Sequence, residues 1–411
     1  MPIRTILPRR GTAAAWEAAD PILANCEQGV ESDTHLEKRG DGVTRWNALP
    51  YLPTSERILG LFLSPVDYGA VGDGETDDTA AFQAAIDAAP LSPYGTAIVQ
   101  VPDGHYVIKS TLTPKDNLTI QAAGDNCTLD FSHPTVTADN LFEYIGTSLT
   151  GFAIRGLHLI GEGTNNGDAS AAGVAVRLSA DTIAEFTAER CRFTNWRYGI
   201  RLGTTGVVDS PHVRGCVFEG CASMSFTMNA SRRALVTDNW VDASRTGIGD
   251  QRSGTVGIWC APLGATGEAY HSGAIISGNH VRNTYAEGIN TCGHDLTVTG
   301  NVVVDCADGI TVEPTIVTSP SAAEVKIGTT ISGNVVTGSG NGSAIVCRHD
   351  PMNNTRGVSR VSITGNATKG YRDGIRVGLN GATTAKTSDV TVSGNVCTDH
   401  TYGLIVYDAL R

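Results

Sequence analysis

From Ile276 to the C-terminus, short apolar runs return at a steady beat, each introduced by the same polar phrase. "ISGN" ends at Asn279, "VTGN" at Asn301, "ISGN" at Asn334, "ITGN" at Asn366 and "VSGN" at Asn395. A second apolar run then opens on a small residue: Gly288-Ile289, Gly309-Ile310, Ala344-Ile345, Gly374-Ile375 and Gly403-Leu404. The steps from Asn to that small residue are 9, 8, 10, 8 and 8, while successive Asn residues are 22, 33, 32 and 29 apart. Constant strand spacing with variable repeat length predicts stacked coils, with two strands held fixed and a loop of free length at one corner. Self-similarity at roughly 20–50 residues marks a repeat architecture rather than a sandwich or a doubly wound sheet.

The same beat runs back, less regularly, through "NLTIQAAG" at 117–124, "ERCRF", "GCVF" and "TDNW". Cys191 and Cys216 occupy the slot that Asn takes later. The row Asn239, Asn279, Asn301, Asn334, Asn366 and Asn395 predicts an internal ladder. Asn tolerates a left-handed backbone at a tight bend, and its amide can bond the rungs above and below. Scaffold explains this row better than chemistry does.

Residues 66–89, "VDYGAVGDGETDDTAAFQAAIDAA", change period. A strand closing in a glycine turn is followed by a helix over 76–90. Thr76, Asp77 or Asp78 caps it, and Ala80, Ala81, Ala84, Ala85, Ala88, Phe82 and Ile86 give it an apolar stripe. Asp77 and Asp78 suit the positive end of the helix dipole, so these acids need no metal to explain them.

Composition narrows the function classes. Glycine is high at 48 of 411 residues, aromatics are only 6% and apolar residues 41%, as many short strands and tight turns require. Net charge is −12 with no basic tract, which argues against nucleic acid as a partner. No 18-residue apolar run exists to span a membrane. The first residues lack the apolar stretch of a signal peptide. The ten cysteines contain no CxxC, and the reading is buried free thiols folded in a reducing cytoplasm. No cofactor and no metal is expected.

Residues 1–55 read differently, being turn-rich with the large anchors Trp16, Trp46 and Tyr51. So short a unit buries little core alone and is expected to dock on something. Its phrase "RRGTAAAW…GVESDT…KRGDGVTRWNALPYL", over residues 9–52, resembles an N-terminal module of bacteriophage tail fibres and tailspikes, related to the N-terminal domain of the phage major tropism determinant. The chain departs from that family at Cys26-Glu27-Gln28. After a connector at 56–64, "VDYGAVGDGETDDTAAFQAAIDAA" resembles the opening of the pectate-lyase-like superfamily of right-handed parallel β-helices. The resemblance implies an all-β solenoid over 65–411, with the helix of 76–90 covering its open N-terminal end. It also implies a homotrimer, carried on a virion tail through contacts of residues 1–55 with other tail or baseplate proteins, after folding in the host cytoplasm.

Candidate chemistry follows from register. Strand residues alternate inward and outward. With Ile310 and Val312 inward, Thr311 and Glu313 face out, and one outward row holds Asn290, Thr311, Val346 and Arg376. The next holds Cys292, Glu313 and Arg348. Just before the small residues come Glu287, Asp308 and Asp373; just after the strands come His294, Asp295 and Asp350. Glu287 and Asp308 should be neighbours, and Glu313 should lie beside Arg348. Glycoside hydrolysis needs two carboxylates, about 5–5.5 Å apart for retention or 6.5–9.5 Å for inversion. The candidate catalytic residues are therefore Glu287, Asp308, Glu313, Asp350 and Asp373. Candidate substrate-binding residues are His294, Arg348 and Arg376, as bases and cations that a lyase would use, and Trp259 and Tyr270, as a platform for stacking sugars. The bland alternative for each is a solvated rim at a strand end. The leading reading is a tailspike-type protein that binds and cleaves a bacterial surface polysaccharide as a glycosidase or lyase. A non-catalytic tail or receptor-binding protein of the same fold is the first alternative, and a lyase or epimerase unconnected with a virion is the second. Because the last strand run is followed almost at once by Arg411, another subunit or protein is expected to cover that end.

Overall fold

The structure, a computed structural model, describes residues 8–52, 62–90, 96–132, 140–162, 173–203, 206–228, 231–244, 256–260, 273–292, 295–313, 328–339, 341–348, 359–378 and 388–406, with 292, 313, 359 and 388 described for backbone only. Two compact units emerge, Met1–Phe62 and Leu63–Arg411.

In the first, strand Arg9–Gly11 runs parallel to Gln28–Glu31, which pairs antiparallel with Glu37–Arg39. Thr12 caps the helix Ala13–Ala19 by accepting the Ala15 N–H at 3.2 Å. Trp16 and Trp46 stack at 4.1 Å, and a Cβ at Gly29 would sit 2.5 Å from the Trp46 ring, so only glycine fits there. Lys38 is buried against the same cluster, donating to the Trp46 carbonyl at 2.8 Å with its ammonium 4.2 Å from the Tyr51 ring centroid. Burial draws the Lys38 pKa down, against the pull of Glu31.

The second unit is a right-handed parallel β-helix. Its strands form three sheets of 12 strands each among the described residues, every pairing within them parallel. One coil contributes a strand to each sheet in turn, for example Leu296–Thr299, Val302–Val304 and Asp308–Glu313. Inward residues of all three merge into one continuous core, from Phe82 and Val99 to Ile375 and Val377. Phenylalanines stack along it, with Phe193 and Phe218 parallel at 4.6 Å.

The helix spans Thr79–Ala88, shorter than expected, because Asp73–Asp77 remain a strand. Phe82, Ala85 and Ile86 enter the common core, with Phe82 edge-on to Tyr106 at 5.2 Å. Asp78 stands at the cap position, yet its carboxylate accepts the backbone N–H groups of Val71 and Gly72, at 2.6 and 3.2 Å. Asp77 instead accepts the Thr79 N–H at 3.1 Å.

The asparagine ladder is present, with one correction. From Asn239 to Asn395 each side-chain Nδ2 donates to the Oδ1 of the next Asn at 2.9–3.0 Å. Each Oδ1 also accepts the backbone N–H of the previous Asn. The ladder ends on Cys216, whose backbone N–H donates to Asn239 Oδ1 at 2.9 Å. The left-handed residue is not the Asn but the one before it: Gly278, Gly300, Gly333, Gly365 and Gly394 have φ of 63–67°, and Asp238 has 58°. The chain turns there, which leaves the Asn side chain pointing inward.

Seven of the described cysteines are buried, Cys397 is partly so and Cys26 is exposed, all as free thiols. Burial pushes the Cys347 pKa up to about 12, which disfavours a reactive thiolate.

Candidate active site

On two neighbouring coils the third strand opens at a glycine whose place admits no side chain. A Cβ on Gly288 would lie 2.5 Å from Val303 Cγ1, and one on Gly309 would lie 2.3 Å from Val336 Cγ1. Strand and core meet so closely there that the preceding residue is turned to the outer face. Those residues are Glu287 and Asp308, which are register partners. Ser343 and Asp373 continue the row, also as partners.

Arg348 ties this row together from two coils away. Its Nη2 lies 2.6 Å from Glu287 Oε1 and its Nη1 3.8 Å from Asp308 Oδ2. All three side chains are between 14% and 22% exposed, so the pairs are sheltered yet reachable. Asp308 Oδ1 accepts the Ser343 N–H at 2.6 Å. Because one guanidinium touches both acids, the two oxygens lie within about 9 Å of each other, overlapping the roughly 5–9.5 Å used by glycosidase pairs.

Asp373 is engaged differently. It has no exposure, and Arg372 grips it with Nε at 3.0 Å and Nη2 at 2.9 Å. The Ser343 hydroxyl donates to it at 3.2 Å, and Arg376 Nη1 lies 3.6 Å away. Burial raises its pKa, but the bonds from Arg372 and Ser343 with the nearby Arg376 charge outweigh that and hold it below the usual carboxylate range.

The outward row differs from expectation in its cover. Register joins Trp259, Asn290, Thr311, Val346 and Arg376 in one line. Outward residues of a solenoid should be solvated, yet Asn290, Thr311 and Val346 are 5%, 0% and 0% exposed. Among the described residues, Trp259 Nε1, Asn290 Oδ1, Thr311 Oγ1 and Arg376 Nε are buried without a hydrogen-bond partner. Register gives a side chain's direction; it does not report what lies over it.

Of the sequence-predicted residues, the structure brings Glu287, Asp308, Arg348, Asp373 and Arg376 onto one face, with Trp259 on the same row. The Glu313 side chain, Asp350, Tyr270 and His294 lie outside the described residues. Sequence reasoning missed Arg372 and Ser343. Ser343 could have been found by counting, since it fills the slot of Glu287 and Asp308. Among the described residues no group of three or more His, Cys, Asp or Glu is arranged to hold a metal ion, and no helix is long and apolar enough to cross a membrane.

Comparison with known proteins adds the following. The LysM effector LysM19 of Penicillium expansum, described as non-secreted, is 34% identical over 149 residues, covering 33% of this chain and 11% of that protein. Mannuronan C5-epimerase AlgE3 of Azotobacter vinelandii is 51% identical over 57 residues, 14% of this chain and 3% of that protein. The chain therefore spans only a small part of the curated relatives it matches. Among solved structures, a tailspike protein mutant of E. coli bacteriophage HK620 in complex with a pentasaccharide has a TM-score of 0.63 at 15% identity, over 87% of this chain and 69% of that one. The A-module of Azotobacter vinelandii mannuronan C-5 epimerase AlgE6 has a TM-score of 0.53 at 17% identity, over 84% of this chain and 99% of that one. These likenesses are of fold. Residues 62–325 match the family described as rhamnogalacturonase A/epimerase, pectate lyase-like, and the chain belongs to that family.

Proposed function

We propose that the chain is a tailspike-type protein whose β-helix binds and cleaves a bacterial surface polysaccharide on the outer face of the third sheet. The observation that carries this reading is the Glu287–Asp308 pair, register partners on adjacent coils sharing the Arg348 guanidinium. One carboxyl would protonate the leaving glycosidic oxygen while the other acts as base or nucleophile, the division of labour that glycoside hydrolysis requires. Arg348 fixes their spacing, and Asp373, with both oxygens engaged, holds Arg372 and Arg376 in place. Glu313 and Asp350 remain candidates for the same face, as do Trp259, Tyr270 and His294 for sugar contacts. Residues 1–55 serve as the attachment to other tail proteins, and the assembly is a homotrimer. The fold shared with a pentasaccharide-bound tailspike is consistent with this assignment.

A second reading is favoured by the local identity to mannuronan epimerases: proton abstraction from a uronate, leading to epimerisation or elimination. Arg348, Arg372 and Arg376 would then neutralise the sugar carboxylate. One experiment separates the readings. The full chain is incubated with purified capsular and cell-wall glycans; new reducing ends without ultraviolet absorbance mean hydrolysis, an absorbing unsaturated product means elimination, and inverted C5 configuration at constant length means epimerisation. Adsorption to glycans with none of these changes leaves a non-catalytic binding protein and sinks the enzymatic reading.

A further inference from the structure

At the corner between the first and second sheets one phrase is written four times: "TVTGNV" at 297–302, "TISGNV" at 330–335, "SITGNA" at 362–367 and "TVSGNV" at 391–396. Register aligns the phrases coil on coil. The second residue of each turns toward the core and the fifth joins the asparagine ladder, which leaves the first, third, fourth and sixth facing outward. Those positions make two rows of Thr and Ser hydroxyls, a column of glycine and a row of Val and Ala. None is charged, in a chain of 30 basic and 42 acidic residues. Charge stops at the edges, with Asp295, Arg360 and Asp389 two residues before the first row and Lys369 two residues past the last. The same slots on earlier coils read "AIRGLH", "TAERCR" and "HVRGCV", so the uncharged strip belongs to these four coils and not to the fold in general.

The strip is open, and most of its hydroxyls are free. Val335 and Val396 are 42% and 59% exposed, and a Cβ on Gly300, Gly333 or Gly365 would meet no atom within 4 Å. Thr299 Oγ1 donates to the Ser332 carbonyl at 2.9 Å and accepts from Ser332 Oγ at 3.2 Å. Among the described residues the other six hydroxyls bond to no protein group. A groove of about 540 Å³ runs over the first row, lined by Thr297, Thr330, Ser362 and Thr391. Its wall includes Thr329, which is 2% exposed and whose Oγ1 has no hydrogen-bond partner among the described residues. Five of the eight residues in the two rows are threonine, whose branched Cβ restricts χ1 and so holds the hydroxyl in place. Each row repeats at the coil spacing of about 4.8 Å, and the two rows stand about 6.6 Å apart along the strand.

Such a surface is poorly equipped to hold a protein, since it offers none of the Trp, Tyr or Arg anchors on which interfaces depend. It equally lacks the aromatic wall of a small-molecule pocket. What it offers is periodicity: fixed hydroxyls that bond water, beside methyl groups that do not, at one repeat along four coils. Waters bridging neighbouring hydroxyls take up that repeat, and the axial spacing is close to the shorter lattice repeat of hexagonal ice. We propose that the strip is an ice-binding face, whose ligand is the ordered water of an ice surface. This activity is separate from the chemistry of the third sheet and does not depend on it.

The test uses the full-length protein on single ice crystals. A gap between melting and freezing points should open as protein concentration rises, and fluorescently labelled protein should coat the crystal. Thr330→Lys and Thr364→Lys, in the middle of the strip, should each lose most of the gap. Thr364→Ser should keep it, and so should Thr147→Lys, which places the same charge on an exposed strand position elsewhere. Thr330→Val, which keeps the shape and removes the hydroxyl, should lose part of it, and unchanged protein melting serves as the folding control. No gap and no coating of ice overturns the proposal, as does a gap that survives both lysine substitutions. Sedimentation and pull-down on chitin and cellulose check the rival uses of the strip. Association of copies, or binding to either glycan, that Thr330→Lys abolishes in the absence of any gap assigns the strip to that partner and overturns the ice face.

Discussion

Asn301 lies fully buried in the middle of the asparagine ladder, and its replacement by Ala isolates what the ladder contributes. Its Nδ2 donates to the Ile276 carbonyl at 2.9 Å and to Asn334 Oδ1 at 3.0 Å. Its Oδ1 accepts the Asn279 N–H at 3.0 Å and Asn279 Nδ2 at 2.9 Å. Truncation leaves the Asn279 N–H, one Asn279 amide donor and the Ile276 carbonyl without partners in a dry core. At about 1–3 kcal/mol for each buried orphan, the expected loss is roughly 3–9 kcal/mol. Asn395 gives the internal comparison. It makes the same kinds of bonds, to Asn366 and to the Ile363 carbonyl, but is only half-buried, so water replaces them and Asn395→Ala should cost about 1–2 kcal/mol. Equilibrium unfolding in guanidinium, with the slope monitored for loss of two-state behaviour, measures both. Equal losses at the two positions, or an Asn301→Ala loss below about 1 kcal/mol, would refute the ladder as the source of register. Asn301→Asp should be worse than Ala at neutral pH, because it sets two oxygens against each other where Nδ2 met Asn334 Oδ1.

Four further outcomes are expected. Glu287→Gln and Asp308→Asn should each abolish glycan cleavage while shifting melting by little, read by reducing-end release beside calorimetry; activity retained in both removes these residues from the chemistry. Gly309→Ala should cost about 1–3 kcal/mol by overpacking, since its methyl would meet Val336 Cγ1 at 2.3 Å and the Ala344 carbonyl at 2.4 Å, and the displaced Asp308 should lose activity too. His158 is held below the ordinary imidazole pKa by burial first and by Arg192 second. The unfolded chain thus binds that proton at a higher pH than the folded one, so stability should fall as pH drops below about 6.5, and His158→Gln should flatten the slope of unfolding midpoint against pH. Trp16→Ala should unfold the first unit at lower denaturant, as it removes the ring stacked at 4.1 Å on Trp46; an unchanged transition in the tryptophan signal of that unit contradicts this.

What the sequence revealed follows from what repeats. The coil imposes the same geometry at each rung, so the same residue returns, and six asparagines announce the ladder before any coordinate does. The error at that slot is equally physical. "Gly-Asn" holds two residues able to adopt a left-handed backbone, and only the geometry shows that the turn belongs to the first. Asp238 could have revealed it, since it fills the Gly slot where "DN" replaces "GN" and takes the left-handed conformation itself.

The candidate site was legible to the extent that it is made of register. Counting from the small residues places Glu287 beside Asp308, because parallel strands in a solenoid pair like with like. Arg348 was out of reach of that logic, since its contact spans 61 residues and crosses a coil by the length of one flexible arm. The same arm begins past the end of one strand and finishes at the start of another, two coils away. Scaffold positions are thus fixed by periodicity and can be read from sequence, whereas the acids owe their setting to a long side chain that repeats nowhere else in the array. Replacing Arg348 by Ala should accordingly leave the register, the ladder and the melting transition in place, while loosening the spacing of Glu287 and Asp308.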